Sequence, residues 1–166
     1  MIMDVNGPLC HCGNYGCLEA LTSRWAIERD IRALLRCGRK SAVVSMTKGN
    51  LSTIKSRILK NAFAKHDPVV TRILTKAANH LGQASVSINH IFNPQAIVFG
   101  GGVIKACGFF MLPIISKVVK ADPFFRKFNT CRILQSTLGD DAVPLGAARL
   151  VQCSKTTMGK KLEFPT

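Results

Sequence analysis

The sequence predicts an α/β fold in which helices outweigh strands. Three observations carry this. Apolar residues recur at three- and four-residue steps over residues 18–36, 52–65 and 68–92, as amphipathic helices require. The compact apolar run Gln95-Ala96-Ile97-Val98-Phe99 passes into Gly100-Gly101-Gly102 and then into another helical stretch, a strand-glycine-helix junction. Finally, 166 residues with 47% hydrophobic and 19% charged content suffice for one folded domain with a real core.

Composition bounds the rest. No run of about 18 uncharged apolar residues exists, and the amino terminus lacks a charged leader with a hydrophobic core, so neither a membrane span nor a secretory signal is expected. A cytoplasmic protein is the default. Seven cysteines, an odd number with three clustered, fit a reducing compartment better than a disulfide scaffold. Cys37, Cys107, Cys131 and Cys153 are most simply core or semi-buried residues. The net charge of +14 raises the possibility of a nucleic-acid or lipid surface. However, the basic residues are spread from Arg24 to Lys161 without a dense block, and stacking aromatics are few. A solvated basic surface, open to an acidic partner or a phosphate ligand, is the favoured reading.

In chain order, Met1 to Val5 is expected as a short strand, closed by the turn Asn6-Gly7-Pro8. Next comes Cys10-His11-Cys12-Gly13-Asn14-Tyr15-Gly16-Cys17-Leu18-Glu19, three thiols on a glycine-hinged loop. Thiolates are soft ligands that suit zinc, and Gly13 and Gly16 supply the positive φ that wrapping an ion demands. The alternative is three buried cysteines that meet no metal. Leu18 to Arg36 is expected as one helix through Leu21, Trp25, Ile27, Ile31, Leu34 and Leu35. Glu19 falls in its first turn, either as a carboxylate favoured by free backbone N–H groups or as an acceptor for ligand hydroxyls.

Residues 37–51 have no sustained period and are expected as a mobile connection. Helix resumes over 52–65 and breaks at His66-Asp67-Pro68, where Asp67 is placed to cap and Pro68 to begin the longest helix, 68–92. Small residues in its second half, Gly82, Ala84, Ser85 and Ser87, allow close approach of another element. Neither His80 nor His90 is assigned a metal role. Asn93-Pro94 stops this helix, the strand 95–99 follows, and the helix from Val103 towards Val119 is expected to be interrupted or kinked near Pro113.

The glycine junction lets backbone approach a nucleotide while helix N–H groups face an anion, although a tight turn alone also needs glycine. It is neither a Walker loop nor the dinucleotide spacing. Residues 122–129 are expected as a loop or short helix whose Phe124, Phe125 and Phe128 bury or cap a missing neighbour. A second strand spans 131–135, a turn 139–142, and a final helix 143–151. The basic tail 153–166 is expected to fray.

The pattern Cys-x-Cys-Gly-x-x-Gly-Cys-x-Glu at residues 10–19 resembles the signature of the ROK family of bacterial sugar kinases and sugar-responsive repressors. The segment Asn93 to Val103 resembles that family's adenosine-side segment, and Leu138 to Ala142 with Leu145 to Ala148 its closing turn and helix. The resemblance spans residues 1–152 and implies the larger part of the carboxyl-terminal lobe of an actin-like, ribonuclease-H-like two-lobed protein. In the family, a Gly-Glu-x-Gly-His-Met stretch precedes the cysteines, its histidine completing a structural zinc site and its Glu and His touching the sugar. Met1-Ile2-Met3 matches the residues just after that histidine, so the chain is expected to be truncated within a fold.

What the resemblance assigns to this chain is therefore zinc on Cys10, Cys12 and Cys17, a sugar contact at Glu19 and nucleotide contacts at Gly100, Gly101 and Gly102. The parent protein is expected to use ATP and magnesium to phosphorylate a hexose or N-acetylated hexosamine, and to form homo-oligomers. The family's Asp-x-Gly-x-Thr phosphate loop and catalytic aspartate are not in these residues, so the chain alone is expected to be inactive. Asp140 and Asp141, in a glycine turn, are expected to be structural rather than substitutes for that base. The competing implication is the sugar-sensing and oligomerisation part of a repressor, meeting DNA only through a separate amino-terminal domain.

Overall fold

The computed structural model describes residues 1–124 and 131–157, and divides into two compact units, Met1–Gln135 and Ser136–Thr166. The first unit holds helices α1 (Leu18–Thr22), α2 (Arg24–Arg36), α3 (Ala42–Met46), α4 (Ser56–Ala64), α5 (Pro68–Phe92) and α6 (Gly102–Ala121), with strands β1 (Ala96–Phe99) and β2 (Arg132–Gln135). β1 and β2 pair in parallel, Ala96 opposite Arg132 and Phe99 opposite Gln135, with α6 as the crossover between them. The second unit holds a 3-10 turn (Gly139–Asp141) and α7 (Ala142–Thr157).

The core forms where α5 packs on α6. Ile73, Leu74 and Ala77 from α5 meet Ile104, Cys107, Met111 and Ile115 from α6, and Ile27, Ile31, Val43 and Leu59 join them from the smaller helices. Gly82 lets the pair come close, since a Cβ there would lie 2.7 Å from the Val118 Cβ. By length and composition α6 is apolar enough to cross a membrane. In the fold it is a core helix, and its buried face is covered by α4, α5 and β2.

Several expectations are corrected. Residues 1–5 do not form a strand: Ile2 alone makes an antiparallel bridge, to Cys17, while Met3 and Asp4 both donate to the Gly16 carbonyl. The segment pairs with the cysteine loop instead of a ladder. The helix expected over 18–36 is two, because Ser23 turns extended and its Oγ accepts from the Ala26 N–H at 3.3 Å, capping α2.

The connection 37–51 contains α3. Asp67 is the reason: Oδ1 accepts from Val70 N at 3.0 Å as the cap of α5, while Oδ2 accepts from Ser41 Oγ at 2.8 Å and Ala42 N at 2.6 Å at the start of α3. One buried carboxylate thus satisfies the first turns of two helices. α4 begins at Ser56 rather than 52, and α6 runs unbroken through Pro113.

α7 continues to Thr157, past the point where fraying was expected, and residues 158–166 lie outside the described residues. Cys37 and Cys153 are exposed, not semi-buried, because Cys37 caps the solvent end of α2 and Cys153 lies on α7. Phe124 does not bury: it is 72% exposed and its ring lies 5.2 Å from that of His90. Phe125 and Phe128 lie outside the described residues.

Candidate metal centre and glycine cleft

The cysteine loop closes on itself through backbone bonds. Cys10 N donates to Asn14 O at 2.8 Å, Gly13 N to Cys10 O at 3.0 Å, and Gly16 N to Pro8 O at 2.8 Å. Gly16 has φ +62°, and a Cβ there would sit 1.5 Å from the Asp4 carbonyl oxygen, so no other residue fits. This closure gathers the Sγ atoms of Cys10, Cys12 and Cys17 within 4.8 Å of one another, with Cys12 and Cys17 3.5 Å apart. Zinc bound at about 2.3 Å holds tetrahedral thiolates roughly 3.8 Å from each other, so three soft donors in this arrangement fit the ion.

The thiols differ in acidity. Hydrogen bonds, first from the Asn14 backbone and then from Cys17 and the Asn14 side chain, lower Cys12 to about 7. Cys17 is raised to about 11, first by its hydrogen bond with Cys12 and then by burial. A bound cation would remove both protons, since a coordinating thiol is deprotonated outright. His11 is not among the gathered donors. Its ring stacks on Trp25 at 4.4 Å, with the Arg29 guanidinium over the same indole at 5.2 Å.

Glu19 occupies the first turn of α1, exposed, with Oε2 accepting from Cys10 Sγ at 3.8 Å. The loop therefore presents one accessible carboxylate directly beside the thiols. Three residues later, Thr22, Ser23 and Arg24 form part of the wall of an open cleft of about 460 Å³. Gly100, Gly101 and Gly102 line the same cleft with Ser56, Leu81 and Phe99.

Gly101 has φ +89° and stands at the head of α6 with no side chain capping that helix. The N-terminal N–H groups of a 20-residue helix thus face the cleft without a side-chain acceptor, an arrangement that favours an anion. The volume and the mixture of apolar wall and backbone donors fit a nucleotide. Thr22, Ser23, Arg24, Ser56 and Leu81 were not singled out from sequence. The one available signal was the polar pair Thr22-Ser23 inside an otherwise continuous amphipathic run. Asp141 is exposed in the 3-10 turn of the second unit.

The ROK family profile matches residues 1–154. The glucokinase of Thermotoga maritima is 32% identical over 153 residues, covering 92% of this chain and 47% of that protein. The DNA-binding transcriptional dual regulator NagC of Escherichia coli is 30% identical over 146 residues, covering 88% of this chain and 34% of the regulator. Among solved structures, a ROK family glucokinase from Streptomyces griseus in complex with glucose and AMPPNP superposes with a TM-score of 0.74 at 25% identity, over 90% of this chain and 49% of that one. The chain spans less than half the length of each of the three.

Proposed function

The chain belongs to the ROK family, and on that premise we propose that it is the carboxyl-terminal, nucleotide- and zinc-carrying part of an ATP-dependent hexose kinase of glucokinase type. The observation that supports this most is the glycine cleft, where positive-φ backbone and an uncapped helix start meet beside an apolar wall. Gly100 to Gly102 admit the nucleotide, and the α6 N–H groups orient its phosphates. Glu19 accepts hydrogen bonds from hydroxyls of a hexose or N-acetylated hexosamine. Cys10, Cys12 and Cys17 hold a structural zinc that ties the loop to α1, so that Glu19 keeps its position.

ATP with magnesium, when bound, supplies the phosphoryl group. These residues contribute binding and orientation. A base beside the accepting hydroxyl is also required for transfer, and we assign none in this chain, which by itself should give no turnover with glucose, mannose or N-acetylated hexosamines. A cytoplasmic homo-oligomer is the expected setting.

Saturation-transfer NMR with AMPPNP and with glucose tests the reading. Nucleotide signals that vanish in Gly101→Val, and sugar signals that vanish in Glu19→Gln, are expected. No nucleotide transfer at millimolar concentration would overturn the kinase assignment. The identity with NagC favours a second reading, the sugar-sensing part of a repressor. In that case sugar signals persist, and nucleotide signals are absent from the unaltered chain.

A further inference from the structure

Between α2 and α5, on residues that the glycine cleft does not use, lie two adjoining depressions of about 390 and 280 Å³ that share Leu34 and Arg72. Their floor is aliphatic, with Leu34, Val69 and Ile73. Their rim is basic, with Lys76 and Arg72 one turn apart on α5 and Arg39 and Lys40 beyond the end of α2.

The side chains of these four cations have no hydrogen-bond or ion-pair partner among the described residues, whereas three of the four arginines on α2 are engaged. Arg24 and Arg32 pair with Glu28, and Arg29 pairs with Asp30 at 2.7 Å. The one carboxylate in the groove, Asp30, is thereby already neutralised. Asp67 is spent on its two helix starts and Asp122 on His90. The other acids among this unit's described residues, Asp4 and Glu19, belong to the cysteine loop and its helix, where Asp4 accepts from Asn6 N and Glu19 lies beside Cys10.

We propose that the groove docks a short acidic segment of a partner protein, with an apolar side chain in each depression and carboxylates on Arg39, Lys40, Arg72 and Lys76. Size agrees with this. From Pro68 to Lys76 the groove runs about 12 Å along α5, the span of roughly four extended residues. The aliphatic floor rewards Leu or Ile rather than a flat base, and no aromatic side chain lines the groove for nucleotide stacking. Charge then supplies the steering and apolar burial the retention.

Fluorescence anisotropy on the full chain tests it, using the fluorescein-labelled peptide Glu-Asp-Leu-Glu-Asp-Leu-Glu-Asp as probe. Saturable binding is expected, weakened about tenfold when both leucines become serine. Arg72→Glu with Lys76→Glu should weaken it at least about tenfold, and so should Arg39→Glu with Lys40→Glu, a loop pair that spares the helices. Arg57→Glu with Lys60→Glu makes the same change in net charge on α4 and should stay within about twofold. Equal losses in all three variants, equal binding of the serine peptide, or no saturation would each overturn the proposal. So would a short duplex DNA that outcompetes the peptide and is itself lost with the Arg72 and Lys76 pair.

Discussion

Cys12 and Cys17 lie 3.5 Å apart yet titrate on opposite sides of the ordinary thiol value, Cys12 at about 7 and Cys17 at about 11. Between those values one proton is shared across the pair and Cys12 carries the negative charge. In metal-free protein at pH 8, iodoacetamide should therefore label Cys12 first, at a rate that rises through pH 7 and then levels. Cys17 should stay slow until far higher pH, as should the buried Cys107, which desolvation also pushes up to about 11. Peptide mapping by mass spectrometry reads all three, and equal labelling of Cys12 and Cys17 at pH 8 would contradict the assignment. With zinc present, about one equivalent should protect Cys10, Cys12 and Cys17 together. Free alkylation of all three in protein purified without chelator, with metal near zero, would remove the zinc reading. At this scale the sequence was informative about which residues, because thiol spacing is local. It anticipated the positive φ at Gly16, but not the Asp4 carbonyl folded against that residue.

The helices were legible in proportion to how much of their stability is their own. α5 was plain because 25 residues of periodic apolar sequence start at an Asp-Pro cap, and the cap is as expected. α3 was invisible because five residues cannot hold a helix without help, and the help comes from Asp67, 25 positions away from the Ala42 N–H it receives. Replacing Asp67 with Ala should remove the α5 cap and the acceptor for Ser41 Oγ and Ala42 N at the start of α3, costing about 2–3 kcal/mol of stability by denaturant unfolding. Hydrogen exchange at the Ala42 and Val70 amides should accelerate together, and acceleration at Val70 alone would mean that α3 stands without Asp67. The boundary at Ser23 was hidden because apolar periodicity continues across it. For the α5–α6 contact, Gly82→Ala gains about 1 kcal/mol of helix propensity but pushes a methyl into Val118, for a net loss of about 1–2 kcal/mol. Adding Val118→Ala should return most of the loss caused by the clash, and a double mutant that is merely additive would show that the helices do not meet there.

On the scale of the molecule, the strand-glycine-helix order and the second strand were legible in the sequence while their parallel pairing was not, and the sheet among the described residues is β1 beside β2 alone. Ile91, Phe92, Val98, Phe109 and Phe124 stay exposed in the same unit. A two-stranded sheet with that much apolar surface should not remain solitary, so light scattering at micromolar concentration is expected to report a dimer or larger species. A monodisperse particle of 18.1 kDa with cooperative melting would contradict this. The fit of α6 between α4 and α5 has a further consequence during synthesis. The chain leaves the ribosome amino end first, so α5 is complete before α6 begins, and the apolar helix emerges onto a surface already made for it. Any change that delays α5 leaves uncovered a 20-residue helix that by length and composition is apolar enough to enter a bilayer. Variants weakened in α5 should consequently sediment with lipid vesicles when translated in their presence, while variants weakened in α7 should stay in the supernatant.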